Sequence, residues 1–489
     1  MKRYYILLLG LCMMSSIQAQ DNDPRKAFDR FAQRSKQKFD DFRSRANEQY
    51  AEAMKRAWER FNAQPAVPRP KDETVPPVVL PEEDRDKPIE TRPVPIKDVV
   101  TPPEPAPQPE PVSPVEERPQ PKDQTVGFVY CGTKLEVRMN ASSRPRLSSC
   151  DNDALAAAWS RLAKDDALNN TLRDCLDLRQ ELQLCDWAYL NMIHALAQKA
   201  FGESNEATLL TAYLYCQSGY QMRLARNSER VVLLFASNHA IYNSGYYRLE
   251  NTNFYPFGGE EPLLEICDAK FPKEQPMSLL ISRAQQLAQQ PSTPRTLTSK
   301  RYADISVTTS VNKNMIDFYD SYPTSEVNDN FMTRWAMYGN TPLDDQVKAE
   351  LYPALRAKIA EGGELEAANK LLNWVQTAFE YEYDEVVWGH DRAFFAEETL
   401  YYPYCDCEDR AILLTRLVRD LLGLECVLIY YPGHMACAVH FSEPVDGDYY
   451  TYGGKDFTVC DPTYIGAPIG RQMPDFADKE ATLIPIKTK

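Results

Sequence analysis

Apolar and charged positions alternate with helical spacing near the start of the chain. Between residues 24 and 62, apolar side chains recur mostly every three or four positions, with charged residues between them. This period predicts one amphipathic helix within a block that runs from residue 20 to residue 64. Its apolar stripe needs a cover, which can be a later part of the protein, a second copy of the helix or a membrane surface. The stripe consists of Phe28, Phe31, Phe39, Phe42, Ala46, Tyr50, Met54, Trp58 and Phe61.

The helical pattern stops where proline becomes frequent. Half of the 36 prolines lie between Pro65 and Pro121, among Glu, Val and Lys residues. This composition favours an extended, polyproline-like backbone, so residues 65–125 are predicted to form a semi-rigid linker. In this interpretation the linker holds the later domains away from the N-terminal helix.

Residues 126–300 are predicted to form a middle domain of unknown role. A strand is expected over 128–139, two or three helices over 151–203 and an antiparallel meander over 213–255. Strands near 301–310 and a helical run over 345–380 then lead into a C-terminal domain, residues 301–489. Separate helical and strand-rich regions of this kind predict an α+β fold.

Residues 1–19 have the layout of an export signal. Lys2 and Arg3 precede a short apolar run, and small residues lead to a predicted cleavage after Ala19. The apolar run is too short to span a bilayer. We therefore expect the protein in the periplasm, in the cell envelope or outside the cell. The formal net charge of −15 argues against nucleic acid as a partner.

Eleven cysteines remain after the predicted cleavage site. An odd number leaves at least one thiol without an intramolecular partner, even where an oxidising compartment allows others to form disulfides. There are no paired CxxC motifs, and Cys405 and Cys407 lack the companions that a zinc site needs. We expect neither a metal nor another cofactor.

Cys407 stands at the start of a predicted helix. Asp406 is a good N-cap and Asp409 occupies the position of a capping-box acid. Apolar residues then recur at helical spacing until Gly423 ends the helix. In the first turn, unpaired N–H groups and the positive end of the helix dipole stabilise a thiolate. Glu408 and Asp409 oppose this effect, so a nearby cation is required.

The residues after this helix provide partners for a thiol nucleophile. A histidine at the start of a strand can accept the thiol proton, and Asp461, directly after the last strand, can orient the imidazole and stabilise its charged form. Such an imidazolium supplies the missing cation beside Cys407. The three strands are predicted over residues 425–431, 434–441 and 449–460.

Two histidines, His434 and His440, compete for the role of base. They have the same strand parity, so both are expected to face the helix. Their separation along a strand is about 20 Å, so only one can reach Cys407. His434 is preferred because it follows a Gly turn, where the end of a strand and the start of a helix can meet.

The sequence from Leu371 to Asp475 resembles the core of the transglutaminase-like superfamily, in particular its members in bacterial cell envelopes. The likeness rests on Cys-Glu-Asp-Arg-Ala opening an apolar helix, Gly-His before a strand, and Asp-Pro-Thr. It implies a papain-like domain with one helix packed on an antiparallel sheet. It also implies that Cys407 is the nucleophile, His434 the base and Asp461 the third member.

The family often has an upstream aromatic residue that helps to bind an oxyanion, and Trp388 is the candidate here. Its indole N–H would act together with the backbone N–H of Cys407, while ordinary core packing is the alternative. Two positions depart from the family's pattern. Cys405 replaces the usual Gly of Gly-Asp-Cys, and Met435 stands where Trp often follows the histidine.

The resemblance implies acyl transfer through a covalent acyl-enzyme. The leading hypothesis is a secreted hydrolase that cuts amide or peptide bonds in a protein or peptide substrate. One alternative is a true protein cross-linking acyltransferase, in which an amine replaces water. The other is a non-catalytic scaffolding or binding protein with a degenerate transglutaminase-like domain, organised by its N-terminal helix and linker.

Overall fold

The computed structural model describes residues 24–70, 75–85, 87–118, 121–140, 143–477 and 479–487. The predicted export signal, residues 1–19, lies outside these ranges. Across them the chain has a mixed α+β fold, and no helix in them is long and apolar enough to cross a membrane. The α-helices are α1 Pro24–Met54, α2 Asn152–Ala163, α3 Asn169–Glu181, α4 Asp186–Phe201, α5 Asn205–Gln217, α6 Lys313–Asp320, α7 Thr333–Asn340, α8 Asp345–Ile359, α9 Gly363–Ala378, α10 Asp384–Val387, α11 Ala396–Tyr401 and α12 Cys407–Leu422.

Two large sheets organise the strands. One has six strands in the order β1-β12-β7-β8-β11-β10, and the other has seven in the order β3-β20-β21-β19-β18-β23-β4. Shorter ladders connect the remaining strands. The strands are β1 Glu59–Asn62, β2 Val78–Val79, β3 Arg92–Pro93, β4 Ile96–Val99, β5 Asp123–Tyr130, β6 Thr133–Asn140, β7 Met222–Arg226, β8 Val231–Ser237, β9 Ala240–Ile241, β10 Tyr247–Leu249, β11 Thr252–Pro256, β12 Leu263–Ile266, β13 Arg295–Thr298, β14 Ser306–Thr309, β15 Ser325–Glu326, β16 Glu380–Tyr381, β17 Tyr404–Cys405, β18 Glu425–Tyr431, β19 His434–His440, β20 Asp448–Tyr452, β21 Lys455–Cys460, β22 Tyr464–Ile465 and β23 Ala481–Pro485.

The N-terminal helix is shorter than predicted. It ends at Met54, where the indole N–H of Trp58 donates to the Met54 carbonyl at 2.9 Å. Residues 59–62, predicted as the last helical turn, instead form β1 and pair with β12. This pairing places Phe61 against a cluster of apolar side chains in the six-stranded sheet. Strand pairing with a distant partner therefore overrides the local helical period.

The proline-rich segment is not a free spacer, contrary to the prediction for residues 65–125. Short stretches of this segment form β2, β3 and β4, which pair with β22, β20 and β23, respectively. Strands β3 and β4 lie at the two edges of the seven-stranded sheet, where proline's missing N–H is tolerated. Leu80, Val94 and Val100 are buried. The segment thus runs along the C-terminal part of the fold instead of holding it at a distance.

The middle and C-terminal parts are not separate domains divided at residue 300. One continuous cluster of buried apolar side chains extends from Ala46 to Ile486 and includes residues of both parts. The hairpin β13–β14 also spans the predicted boundary. The division was wrong because composition does not change at this point, and only the tertiary contacts reveal the shared core.

Several element boundaries within these parts also differ from the prediction. The strand expected over 128–139 is the hairpin β5–β6, and the helices expected over 151–203 are α2, α3 and α4. The meander begins at β7, because Tyr213 belongs to helix α5. The helical run over 345–380 is two helices, separated where Gly362 and Gly363 adopt positive φ angles.

The seven-stranded sheet carries α12 on one face. Met435, Cys437 and Val439 of β19 pack in the same cluster as α12. The alternate residues of that strand, such as Ala436, pack with Leu80 and Val94 of the proline-rich segment. The strand predicted over 449–460 is a hairpin, β20–β21, which turns at Gly453 and Gly454. The sheet is therefore covered on both faces, by helices and by the proline-rich segment.

Candidate active site

Helix α12 begins as the sequence predicts, with Cys407 in its first turn. A capping box joins Asp406 and Asp409, in which the Asp406 backbone N–H donates to Asp409 Oδ2 at 3.2 Å. Asp409 Oδ1 accepts from the backbone N–H of Phe394 at 2.8 Å. At the far end, Gly423 adopts a left-handed conformation, as expected for a C-terminal cap. The two oxygens of Asp409 thus fix the position of the turn that carries Cys407.

His434 and Asp461 form a buried pair. His434 Nε2 lies 2.9 Å from Asp461 Oδ2. The other oxygen of Asp461 accepts backbone N–H groups from Thr463 and Tyr464 at 2.8 and 3.2 Å, so the carboxylate is held on both sides. The His434 ring stacks on Phe476, with centroids 4.8 Å apart. His434 Nδ1 is buried and has no hydrogen-bond partner, which leaves this nitrogen available to a reacting group.

Cys407 and His434 line the same cavity, at the tip of α12. Its volume is about 30 Å³, which holds one or two water molecules. The Cys407 thiol lies 3.1 Å from Glu408 Oε2 and makes no hydrogen bond to the imidazole. The lining residues are Trp335, Asp384, Glu385, Asp391, Asp406, Cys407, Glu408, Tyr430, Gly433, His434 and Met435. The nucleophile and base that the sequence predicts are therefore neighbours across one small space.

Of the two candidate histidines, His434 lines the cavity, but the expectation that both histidines face the helix was wrong. The strand face that packs on α12 carries the odd-numbered residues of β19, so neither histidine faces the body of the helix. His434 reaches the cavity because it stands at the strand start, beside the helix tip. His440 lies at the other end of the strand, with Nδ1 2.9 Å from the Asp456 carbonyl.

Carboxylates dominate the electrostatics of the cavity. Burial raises the pKa of the Cys407 thiol well above its usual value, and the charges of Glu408 and Asp406 raise it further. The backbone N–H of Met435 acts in the opposite direction, because it lowers that thiol pKa. The resting environment therefore favours a neutral thiol, and a thiolate requires an imidazolium beside it.

The acidic groups themselves are buried together. Burial is the largest cause that raises the pKa of Asp384, Asp406, Glu408 and Asp409. The carboxylate of Asp391 pairs with the buried guanidinium of Arg334 at 2.6 and 3.1 Å.

These carboxylates are also the residues that could hold a metal. Oxygens of Asp384, Asp391 and Glu408 lie within 4.8 Å of one another, as do those of Asp384, Asp406 and Asp409. Carboxylate oxygens are the ligands that hard divalent cations prefer. Cys407 forms a third group with Asp406 and Glu408.

Trp388, the predicted oxyanion-binding residue, does not line the cavity. Its ring packs against Phe394 and Tyr402 and lies beneath the guanidinium of Arg392, 4.3 Å from the ring centroid. Trp335 of α7 lines the cavity instead, and its buried indole N–H has no hydrogen-bond partner. The sequence provides no signal for Trp335, because α7 joins the site only through tertiary packing.

Cys405 does not form a disulfide with Cys407, and all the cysteines of the described residues are free thiols. Cys405 accepts a hydrogen bond from Arg410 Nε at 3.4 Å. The same guanidinium donates to the carbonyls of Gln376, Phe379 and Pro462. Arg410 thus ties helix α12 to the loop that follows Asp461.

The proline-rich segment touches the rim of the cavity at two points. The backbone N–H of Val75 donates to the Gly433 carbonyl at 2.9 Å. Arg69 donates to the backbone carbonyl of Asp391 and to the hydroxyl of Thr324. Gly433 and Asp391 both line the cavity, so this segment helps to enclose the site.

Comparisons of the chain with known proteins give no family for it. The chain matches no model of a protein family, and no curated protein matches it.

Proposed function

We propose that the chain is a transglutaminase-like thiol enzyme with a papain-like core, which hydrolyses amide or peptide bonds. The observation that carries this proposal is the state of His434. Its Nε2 is held by Asp461 at 2.9 Å, while its Nδ1 stays unpaired in the cavity that contains Cys407. A histidine with one nitrogen oriented by a carboxylate and the other free beside a thiol is equipped to act as a general base.

In the proposed reaction, the thiol of Cys407 turns from Glu408 towards the imidazole and gives its proton to His434 Nδ1. Asp461 stabilises the imidazolium that forms. The thiolate attacks the amide carbonyl, and the imidazolium returns the proton to the leaving amine as the C–N bond breaks. Water, deprotonated by His434, then attacks the thioester, so that the S–C bond breaks, the acid is released and the Cys407 thiolate recovers its proton from the imidazolium.

Trp335 is the proposed oxyanion donor in place of Trp388. Its indole N–H is buried, unpaired and at the cavity wall. A donor that is already in place and unpaired can bond to the negative oxygen of a tetrahedral intermediate without losing another partner. Stacking on Tyr430, with ring centroids 5.1 Å apart, holds the indole in position.

A second function, a non-catalytic binding or scaffolding role, is favoured by one specific observation. The pKa of the Cys407 thiol is raised by burial and by two neighbouring carboxylates, whereas reactive cysteines usually sit in electropositive surroundings. In that case the cavity is a remnant of a catalytic site and the thiol is inert.

Thiol labelling distinguishes the two functions. Residues 20–489 are treated with a fluorescent iodoacetamide probe across a pH series, and labelled peptides are identified by mass spectrometry. The enzyme hypothesis predicts selective labelling of Cys407 that His434→Ala greatly slows. Cys437→Ser is the matched control, since Cys437 is also fully buried but does not line the cavity. Uniformly inert thiols in the native protein would support the scaffold.

Activity assays then test the reaction itself. Hydrolysis is followed with a library of quenched fluorescent peptides, and cross-linking is followed as incorporation of a dansylated amine into a glutamine-containing protein. Cys407→Ala should abolish either activity. Trp335→Phe should lower kcat by about 10²-fold, whereas Trp388→Phe should leave it nearly unchanged. Full activity in Cys407→Ala would disprove amide chemistry at this site.

A further inference from the structure

The N-terminal helix is packed along only half of its length. Tyr50 and Met54 are buried against the middle of the protein, and contacts with α2 hold this half in place. At the other end, Phe28 and Phe31 are 69% and 68% exposed, and Phe39 and Phe42 are exposed as well. One helix thus has an anchored half and an aromatic half that the described part of the chain leaves uncovered.

The exposed phenylalanines lie on one side of the helix. Their separations of three, eight and three residues place them in a stripe that covers about a quarter of the circumference. The stripe is about 20 Å long at the rise of an α-helix. Four exposed phenylalanines on one side of a helix form an apolar stripe, which a soluble protein seldom leaves exposed without use.

The charge of this half is opposite to that of the whole protein. Residues 24–38 contain six basic residues and one acidic residue, in a chain whose formal net charge is −15. Arg34 and Lys38 are exposed. The next acidic residue along the helix is Asp40, which is paired with Arg118 of the proline-rich segment. Positive charge is therefore concentrated where the aromatic stripe is free.

We propose that the N-terminal half of α1 is a docking surface for anionic lipid membranes. An aromatic stripe with basic residues beside it is the pattern of helices that lie in the plane of a membrane interface. Negatively charged headgroups attract the basic residues, while the phenylalanines enter the apolar boundary. A second copy of the helix is disfavoured as occupant, because pairing would bring two positively charged segments together. The anchored half would hold the rest of the protein at the membrane surface.

Vesicle flotation with residues 20–489 tests this proposal. The vesicles contain phosphatidylcholine alone or with about 30 mol% phosphatidylglycerol. The protein should float with the anionic vesicles and not with the neutral ones, and about 0.5 M NaCl should weaken binding. Replacing Phe28 and Phe31 by Ser should lower the partition coefficient about tenfold or more. The double variant Arg34→Gln/Lys38→Gln should bind the anionic vesicles more weakly than the wild type, because it lacks two of the positive charges.

A matched control removes exposed apolar side chains elsewhere. Val129→Ser with Leu263→Ser changes two residues that are also exposed and should leave flotation unchanged. Thermal melting curves confirm that each variant is folded. Equal flotation of the Phe28/Phe31 variant and the wild type would overturn the proposal. The proposal would also be overturned if neither protein bound vesicles and sedimentation velocity showed dimers of the wild type that the Phe28/Phe31 variant does not form. The stripe would then join two copies of the chain.

Discussion

Glu397 provides a sharp test of how burial controls ionisation near helix α12. It belongs to α11, which packs against α12, and its side chain is 1% exposed. One carboxylate oxygen accepts the backbone N–H of Asp344, and the other has no partner. Burial is the main cause that raises the pKa of Glu397 from 4.5 to about 8, and the negative charge of Asp344 adds to it.

The raised pKa makes the folded state less stable as the pH increases. The unfolded chain releases this proton near pH 4.5, whereas the folded protein keeps it until about pH 8. Between these values each pH unit costs about 1.4 kcal/mol of stability, which gives about 5 kcal/mol over the whole window. Glu397→Gln has nearly the same shape without the charge. The variant should therefore match the wild type near pH 5 and be about 4 kcal/mol more stable near pH 8.

Urea unfolding followed by tryptophan fluorescence measures this difference at several pH values between about 5 and 8. Glu361→Gln is the matched control, because Glu361 is exposed and its replacement should give a constant small difference. The decisive quantity is how the difference in free energy of unfolding between the Glu397→Gln variant and the wild type, here called the stability gap, changes with pH. If that gap stays constant or narrows as the pH rises, the reasoning about Glu397 is refuted.

Three further predictions concern the site. Asp461→Asn should slow alkylation of Cys407 about 10²-fold near neutral pH, because the imidazole of His434 loses its carboxylate partner. An unchanged pH–rate profile would contradict this prediction. At pH values below the pKa of the Cys407 thiol, Glu408→Gln should make the same alkylation about tenfold faster, since the Glu408 carboxylate raises that pKa. An equal or slower rate would argue against this cause. Gln376→Leu should lower the free energy of unfolding by about 3 kcal/mol, because the Gln376 amide donates to the backbone carbonyls of Asp461, Tyr464 and Ala467. An unchanged urea midpoint would count against this prediction.

Local signals in the sequence were sufficient for the elements that carry Cys407 and His434. The capping pair Asp406 and Asp409, the apolar period and Gly423 predicted the bounds of α12 correctly. Strand β18 was predicted to the residue, and β19 begins at His434 as expected. These signals act between residues that are a few positions apart, so they are readable without the fold.

Residues brought in from distant parts of the chain could not be predicted this way. Trp335, Asp384 and Asp391 reach the cavity only because α7 and the loops before α12 fold over its tip. Trp388 was the candidate for the upstream aromatic residue that the family resemblance implies, yet it packs on Arg392 and does not line the cavity.

The sequence by itself therefore determined the mixed α+β composition, the helix α12 that begins at Cys407, and the order of Cys407, His434 and Asp461. Only the tertiary structure decided that the proline-rich segment joins the sheet, that the two later parts share one core, and that acidic side chains surround the thiol. The physical reason is the distance along the chain over which the interactions act. Caps and periodic patterns satisfy hydrogen bonds and bury apolar groups within one element. Sheet edges and cavities, in contrast, are completed by whichever distant segment the folded chain brings to them.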